Sequence, residues 1–360
     1  MEPGTLTSPA RHDTGGPYHV AQWATGTIGR RALRAIIEHP ELELAALYSH
    51  SPDKSGRDAA ELCGLAAPTG IEATGDIEQI LARRPDCVLY MPQSCDLDEV
   101  CAILAAGSNI VTTCGLFHHP PSMDPDIRAR VEAACATGAT SIHSTGSSPG
   151  FITEAVPLVL TSIQRRLDSL AIEEYADLSR RDSPGILFDV MGFGSPPAGF
   201  AEARLDHLRD SIGPSLRLLA DGIGVPLDEI TAAGEVATAG HTFEIAAGTI
   251  EKGTVAAQRI TISGRRDGKP LVSFRAVWHC GAEAGTDWEI RPTGWHLSVR
   301  GDAPLEIDMV FPFPLDEMAE HSPSYTANRA VNAVGHVCAA PPGIRTVLDL
   351  PTVNANLGRS

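Results

Sequence analysis

The chain has 360 residues, of which 43% are hydrophobic and 20% charged, so disordered and collagen-like classes are excluded. At about 100–200 residues per domain, this length favours two domains. Lys and Arg number 28 against 45 Asp and Glu, which leaves a formal net charge of −17. Since no basic run offsets this charge, neither nucleic acid nor an anionic membrane is expected as a partner.

The first 16 residues are polar and rich in Pro and Gly, which predicts a disordered leader. No stretch reaches the roughly 18 apolar residues that a membrane-spanning helix needs. The eight cysteines form no Cys-x-x-Cys pair, and several lie in apolar runs. This pattern indicates buried, reduced thiols in a cytoplasmic protein, without a metal site.

Short apolar runs alternate with helical patterns in the first half of the chain. Strands are predicted at residues 20–23, 42–48, 87–91, 109–113 and 140–143, and helices at 28–38, 77–83, 97–106 and 125–136. Asp96 and Glu99 have the spacing of a capping box, and Gly107 ends that helix. The alternation predicts an α/β domain with a doubly wound parallel sheet of the Rossmann type.

The second half is richer in β-strand patterns. Strands are predicted at 170–175, 186–191, 255–265, 271–280, 295–299 and 305–311, and helices at 199–208, 212–223 and 325–339. Asp267-Gly268 carries a hairpin signal. We therefore expect a disordered leader (1–16), a Rossmann domain (17–150), an α+β substrate-binding and dimerisation domain with a mixed or antiparallel sheet (151–323), and a C-terminal helix and tail (324–360) that return to the Rossmann domain.

A Gly-x-Gly-x-x-Gly pattern follows the first strand, with Ala24 in the place of the first glycine and then Gly26 and Gly29. In a strand–turn–helix, the second glycine lets backbone amides approach a pyrophosphate, and the third lets helix and strand pack closely. The helix N-terminus favours the phosphate charge. The pattern predicts dinucleotide binding; a plain strand–helix turn is the alternative.

The end of the second strand selects between the nicotinamide cofactors. NAD usually requires an acid there, and positions 48–52 carry none. Ser49, Ser51 and Lys54 instead suit a 2′-phosphate, so NADP is favoured. Asp53 keeps NAD possible, because its carboxylate has the chemistry to hold a ribose hydroxyl.

Ligands of an open parallel sheet bind beyond the carboxyl ends of its strands. The loops that follow the strands at 87–91, 109–113 and 140–143 are therefore, like the glycine-rich loop, candidates for cofactor binding. The predicted cofactor-binding residues are Ala24, Thr25, Gly26, Thr27, Ile28, Gly29, Ser49, His50, Ser51, Lys54, Met91, Pro92, Gln93, Cys114, Gly115, Ser148 and Pro149.

The glycine pattern and the runs at 48–54 and 146–151 resemble the 2,4-diaminopentanoate dehydrogenase and native amine dehydrogenase group of the dihydrodipicolinate reductase-like superfamily. Segments 294–296 and 325–332 look like an actinobacterial branch of it. The resemblance implies a Rossmann domain, a mixed β substrate domain that also dimerises, and hydride transfer from NAD(P)H to a C=N or C=O carbon.

Two departures from the family pattern bear on the reaction. The amine dehydrogenases carry a catalytic Glu in a Thr-x-x-Glu loop, whereas this chain runs from Thr112 to Gly115 without an acid. The His-His…Lys and Asp-Ala-Pro-Ser-Gly-Thr segments of true dihydrodipicolinate reductases do not occur, since Asp302-Ala-Pro is followed by Leu305. Both lysine biosynthesis and reductive amination by the family's Glu mechanism are therefore doubtful.

Reduction of C=O or C=N also requires a proton donor. His118 and His119 follow a strand end that the fold places near nicotinamide, and Tyr175 is the next candidate, although loop and packing roles are the alternatives. Glu173 and Glu174 are expected on a solvated surface. The predicted substrate pocket consists of Phe151, Met191, Phe193, Trp295 and His296.

Three functional hypotheses follow. The first is an NAD(P)H-dependent oxidoreductase, acting as a homodimer on a small or medium, fairly apolar small-molecule substrate. The second is a dinucleotide-binding sensor or structural protein without catalysis. The third is an amine dehydrogenase with a substitute acid in place of the missing Glu.

Overall fold

A computed structural model describes residues 16–197, 200, 202–281 and 287–357. Apart from Gly16, the predicted leader lies outside the described residues. The chain divides into a first unit, Met1–Phe151 with Pro323–Ser360, and a second unit, Ile152–Ser322. Within the described ranges, no helix is both long and apolar enough to cross a bilayer.

Strands and helices alternate as far as the second unit, where strands predominate. The described strands are β1 Tyr18–Trp23, β2 Leu42–Tyr48, β3 Ala73–Thr74, β4 Cys87–Tyr90, β5 Asn109–Thr112, β6 Ser141–Ser144, β7 Leu167–Asp177, β8 Glu229–Thr238, β9 Phe243–Ile245, β10 Gly248–Ile250, β11 Val255–Arg266, β12 Lys269–His279, β13 Gly294–Gly301, β14 Leu305–Val310 and β15 Gly343–Arg345. The described helices are α1 Thr27–Glu38, α2 Ala59–Cys63, α3 Ile77–Ala82, α4 Leu97–Ala105, α5 Pro125–Gly138, α6 Val156–Thr161, α7 Glu202–Gly222 and α8 Met318–Cys338.

The first unit contains a seven-stranded parallel sheet in the order β15-β6-β5-β4-β1-β2-β3. Successive residues of β1 face opposite sides of it, so Val20 packs with Leu33 of α1 and Val334 of α8, and Ala21 with Ile103 of α4. The strand order reverses between β1 and β4, where open α/β sheets bind ligands. The predicted Rossmann-type sheet is confirmed.

The second unit contains a six-stranded sheet in the order β14-β13-β7-β12-β11-β8. The β7–β12 pair is parallel and the other pairs are antiparallel, so the predicted mixed sheet is confirmed. Asp267 and Gly268 join β11 to β12 with φ values of 50° and 71°, both in the left-handed region that such a two-residue hairpin requires. Helix α7 packs on β8 and β11.

Several element predictions were wrong or incomplete, and β3, β8, β9, β10, α2 and α6 were not predicted at all. Residues 186–191, predicted as a strand, lie in the helical segment Gly185–Val190, because a short apolar run does not distinguish the two structures. The helices predicted at 199–208 and 212–223 form, from Glu202 to Gly222, one helix, α7, which accommodates Pro214; residues 199 and 201 lie outside the described residues. Strand β15 was missed, since three residues after a Pro-Pro pair carry no periodicity.

The start of α4 differs in one contact from a capping box. The Asp96 carboxylate accepts from the amides of Asp98 (2.8 Å) and Glu99 (3.3 Å), as predicted for the N-cap. The Glu99 side chain does not bond back to the Asp96 amide. Instead, the Tyr90 hydroxyl accepts from that amide (3.1 Å) and donates to Glu99 (2.7 Å), so a residue of β4 completes the cap.

Candidate active-site residues

The turn between β1 and α1 forms an open cradle. Ala24 takes the left-handed conformation of a first glycine, with φ at 73°. A Cβ on Gly29 would lie 2.2 Å from the Ala24 carbonyl oxygen, so this position requires glycine. A Cβ on Gly26 would meet nothing within 4 Å, and the exposed Thr27 begins the helix. The space beside Gly26 is thus open to a phosphate group at a helix N-terminus.

The buried side-chain amide of Gln22 supports the turn that forms the cradle. The Gln22 Nε2 atom donates to the carbonyl oxygens of Trp23 (3.1 Å) and Ala24 (2.9 Å). These hydrogen bonds fix the orientation of the two carbonyl groups of the turn. Separately, the first turn of α1 carries no acidic residue that would repel an anion at the helix N-terminus.

Lys54 brings a positive charge to the cradle. It ends the short helical turn Pro52–Lys54, and its Nζ atom donates to the Thr25 hydroxyl (3.1 Å) and carbonyl oxygen (3.3 Å). Ser51 is half-buried at the start of that turn, whereas Ser49 is 4% exposed. The structure thus brings Lys54 and the glycine-rich loop together.

An aromatic stack that sequence reasoning missed lies at the carboxyl ends of β1, β2 and β4. The rings of Trp23 and Tyr48 stack with centroids 3.9 Å apart, and Tyr90 tilts against Trp23 at 5.7 Å. Burial raises the pKa of both tyrosines above the ordinary value, and the hydrogen bond to Glu99 raises that of Tyr90 further. The predicted residue His50 is exposed, and its Nδ1 atom lies 3.2 Å from the Tyr48 hydroxyl.

The loop that follows β4 carries Met91, Pro92 and Gln93. The Met91 amide donates to the Trp23 carbonyl oxygen (3.2 Å), which holds the start of this loop beside the end of β1. Met91 is buried, Pro92 is half-buried and Gln93 is exposed. Pro92 and Gln93 are therefore the members of this predicted set that a ligand can reach.

The loop that follows β5 carries a thiol with unusual surroundings. The Cys95 thiol donates a hydrogen bond to Cys114, and this bond, the Leu116 amide and the charge of His118 lower the pKa of Cys114 to about 7. The Cys114 carbonyl oxygen accepts from the Ser144 hydroxyl, which ties the loop to β6. Gly115 follows Cys114, so this loop carries a thiol and no carboxylate between residues 112 and 115.

The two histidines proposed as proton donors are buried. His118 is 2% and His119 6% exposed, and the His119 Nδ1 atom lies 2.6 Å from the Ser122 hydroxyl. A general acid must come within hydrogen-bond reach of its substrate. The role of these histidines stays a prediction, and their burial does not support it.

The loop that follows β6 packs on α8. The Ser147 and Thr326 hydroxyls lie 2.7 Å apart, and the Arg329 guanidinium lies 6.0 Å from the ring centre of Phe151. The predicted cofactor residues Ser148 and Pro149 are half-buried in this loop, as is the predicted pocket residue Phe151. Sequence reasoning missed Thr326 and Arg329, because they are about 180 residues away along the chain.

In the second unit, the predicted pocket residues Trp295 and His296 are neighbours on β13 and point to opposite faces of the sheet. Adjacent residues of a strand point to opposite faces of its sheet. His296 pairs across β13 and β7 with Glu173, whereas Trp295 pairs with Glu174. Their shared pocket stays a prediction, and their opposite orientation does not support it.

His296 and Tyr175 belong to a polar face. His296 is 5% exposed, and its ring nitrogens lie 2.9 Å from the carboxylates of Glu306 and Asp308. The Tyr175 hydroxyl donates to Glu173 (3.0 Å), and burial together with that carboxylate raises the pKa of Tyr175 to about 12. A phenol held in this way is a poor proton donor near neutral pH, so Tyr175 does not suit the role predicted for it.

The loop at 191–197 carries two of the predicted pocket residues, Met191 and Phe193. The Met191 carbonyl oxygen accepts from Gln258 Nε2 (2.6 Å) and from the Arg204 guanidinium, and Phe193 is 1% exposed. These contacts anchor the start of the loop to β11 and α7. Phe193 is a core residue, and Met191 is the half-buried member of the predicted pair.

A cavity of about 420 Å³ that sequence reasoning missed lies within the second unit. Its polar lining includes Asp177, His279 and Thr293, and Phe311 forms part of its apolar wall. The ring of Phe311 also packs edge-on against Trp295, with centroids 4.7 Å apart. The cavity is partly open to solvent, and its volume is of the size that small ligands occupy.

Two family models match the chain. Residues 151–360 match the 2,4-diaminopentanoate dehydrogenase C-terminal domain, and residues 23–117 match the dihydrodipicolinate reductase N-terminus. The second match includes the glycine-rich loop, Lys54 and the loop with Cys114.

Related proteins agree with these models. An amine dehydrogenase of Streptomyces virginiae is 29% identical over 343 residues, which cover 91% of this chain and 95% of that protein. A 4-hydroxy-tetrahydrodipicolinate reductase of Trichormus variabilis is 36% identical over 62 residues, 17% of this chain and 22% of that enzyme. The solved amine dehydrogenase of Mycobacterium smegmatis shares the fold, with a TM-score of 0.74 at 18% identity over 96% of this chain and 99% of that one. Because the first family model spans more than half of the chain, the protein belongs to the 2,4-diaminopentanoate dehydrogenase family of oxidoreductases.

Proposed function

We propose that the protein is an NADP-preferring reductase that exchanges a hydride with the carbon of a C=O or C=N bond in a small or medium, fairly apolar substrate. The observation that carries this proposal is the cradle at the end of β1. Its Gly26 leaves open space for a phosphate, Gly29 has no room for a side chain, and Lys54 is hydrogen-bonded to Thr25.

The preference for NADP rests on charge at the end of β2. Positions 48–52 carry no carboxylate to hold an adenosine ribose or to repel a phosphate, and the ammonium of Lys54 lies beside the cradle. Ser51 adds a half-buried hydroxyl. A 2′-phosphate would accept charge-assisted hydrogen bonds from Lys54, and such bonds are stronger than neutral ones.

When bound, the nicotinamide would supply the hydride. The chain itself would hold the pyrophosphate against the first turn of α1 and orient the dinucleotide through the loops that follow β4, β5 and β6. Gly115 cannot activate ammonia, and Cys114 beside it is a thiol whose pKa of about 7 allows it to hold or release a proton near neutral pH. This makes the thiol a second candidate proton donor beside His118 and His119.

The decisive experiment measures NADPH binding and turnover separately. NADPH fluorescence on mixing reports binding, and NADPH consumption is then followed with a panel of ketones and cyclic imines, with and without ammonia. We expect binding, with turnover of carbonyls or preformed imines and little gain from ammonia. Binding without turnover across the panel would instead favour a dinucleotide sensor, and the absence of binding would refute the proposal.

A further inference from the structure

A pair of thiols lies where the loops after β4 and β5 meet. The two strands are parallel neighbours, with Tyr90 opposite Thr112, so their loops leave the sheet side by side. Cys95 and Cys114 lie in these loops, and the Cys95 thiol donates a hydrogen bond to the Cys114 sulfur. Both residues are half-buried free thiols, so the pair is in contact and partly open to small solutes.

The ends of both strands hold the loops in place. The Tyr90 hydroxyl accepts from the amide of Asp96 (3.1 Å), which fixes the residue that follows Cys95. The Cys114 amide donates to the Thr112 hydroxyl (3.0 Å). Neither cysteine lies in a helix or a strand, so the backbone at each can adjust while the two sulfurs stay close together.

The hydrogen bond makes the two thiols chemically unequal. As the donor, Cys95 stabilises the thiolate of Cys114, and together with the Leu116 amide and the charge of His118 it lowers the pKa of Cys114 to about 7. The same bond and burial raise the pKa of Cys95. Because the thiolate is the nucleophile, Cys114 is the thiol that reacts first, and Cys95 stays protonated beside it.

A second thiol pair in the first unit has the opposite properties. Cys87 of β4 is fully buried and is hydrogen-bonded with Cys338 of α8. This bond and burial raise the pKa of the Cys338 thiol well above its ordinary value. Contact between two thiols is therefore not enough for reactivity, and this pair provides an internal control.

We propose that Cys114 and Cys95 form a site of reversible oxidation, at which a hydroperoxide oxidises Cys114 and Cys95 then closes a disulfide that weakens dinucleotide binding. The Cys114 sulfur attacks a peroxide oxygen, so an S–O bond forms, the O–O bond breaks and an alcohol or water leaves. The Cys95 sulfur then attacks this sulfenic sulfur. The S–S bond forms, the S–O bond breaks, and the hydroxide leaves as water with the Cys95 proton, so two electrons pass from the thiols to the peroxide.

The effect on the dinucleotide rests on the proposed function. A covalent bond between two sulfurs is shorter than the hydrogen bond that it replaces, so oxidation draws the loops after β4 and β5 together and cross-links them. These loops carry Pro92, Gln93 and Gly115, which are among the residues proposed to orient the dinucleotide. The disulfide should therefore lower the affinity for NADPH, and its reduction should restore that affinity.

The test uses the full chain, oxidised with hydrogen peroxide in the absence of dinucleotide. The remaining free thiols are blocked with N-ethylmaleimide, and peptide mapping by mass spectrometry locates the disulfides. We expect a disulfide between Cys95 and Cys114 that dithiothreitol removes, with Cys87 and Cys338 still reduced. NADPH affinity, measured by nicotinamide fluorescence, should fall about fivefold or more on oxidation and return on reduction.

Two variants separate this disulfide from general oxidation. Reduced Cys95→Ala should bind NADPH as the wild type does, and peroxide should produce no disulfide at its Cys114. Cys338→Ala is the matched control from the buried pair, and it should respond to peroxide as the wild type does.

The proposal is overturned if the oxidised wild type lacks the disulfide between Cys95 and Cys114, or if protein that carries it binds NADPH as tightly as the reduced protein. Mapping of the wild type decides this even where a variant does not fold. Reduced protein that binds NADPH but forms no disulfide on oxidation refutes this inference alone, whereas reduced protein that binds no NADPH refutes the proposed function.

Discussion

Replacing Gly26 and Gly29 by alanine, one at a time, separates the binding role of the cradle from its packing role. At Gly29 the new Cβ would lie 2.2 Å from the Ala24 carbonyl oxygen, a contact that requires the helix or the turn to move. Overpacking of this kind costs roughly 1–3 kcal/mol, which corresponds to a Tm lower by about 2–12 °C for a unit of this size.

At Gly26 the same substitution meets open space, and the backbone φ of −71° is allowed for alanine. The unfolding free energy should therefore change by less than about 1 kcal/mol. The methyl group would instead occupy the space proposed for the pyrophosphate. We expect affinity for both NADPH and NADH to fall at least about tenfold, a loss of about 1.4 kcal/mol.

The assay pairs differential scanning calorimetry with titration of each dinucleotide by nicotinamide fluorescence. The expected pattern is a stable Gly26→Ala variant that binds poorly and a destabilised Gly29→Ala variant. Wild-type affinity in Gly26→Ala would refute the assignment of this turn as the phosphate cradle. An unchanged Tm in Gly29→Ala would contradict the packing argument.

Four further variants and one hydrodynamic measurement test the remaining interpretations. Lys54→Ala should weaken NADPH binding about 5- to 30-fold, because roughly 1–2 kcal/mol of binding free energy is lost, and it should weaken NADH binding less. Equal losses of affinity for the two dinucleotides would contradict a contact between Lys54 and the 2′-phosphate. Iodoacetamide should alkylate Cys114 at a rate that rises with pH and is half-maximal near pH 7. Cys95→Ala removes the thiol donor that stabilises the Cys114 thiolate, so it should move this midpoint to higher pH. An unchanged midpoint would show that Cys95 does not lower the pKa of Cys114. Separate His118→Ala and His119→Ala variants should show whether either lowers turnover while NADPH still binds, and full turnover in both would remove them as proton donors. We also propose a homodimer through the six-stranded sheet, so sedimentation should give twice 38.0 kDa at micromolar concentration, and a 38.0 kDa species would refute it.

Predictions from local sequence pattern agreed with the structure where the backbone conformation depends on residues that are close together in the sequence. Helix α4 begins at its Asp96 N-cap, and the Asp267-Gly268 turn has the φ values that its residue types favour. Where an apolar run is short, local pattern is ambiguous, and this is why Gly185–Val190 was predicted as a strand.

The sequence by itself determined the parallel sheet, the glycine-rich cradle and the hairpins, because periodicity, turn residues and steric limits act over a few positions. The tertiary structure alone decided which side chains meet. Lys54 and Thr25, or Glu174 and Trp295, are far apart along the chain and become neighbours only through strand order and register. Alternation along β7 placed Glu174 on the apolar side, half-buried instead of on the expected solvated surface, but its two indole partners, Trp278 and Trp295, come from strands more than 100 residues away. Long-range pairings of this kind depend on how whole elements pack, and no local pattern carries that information.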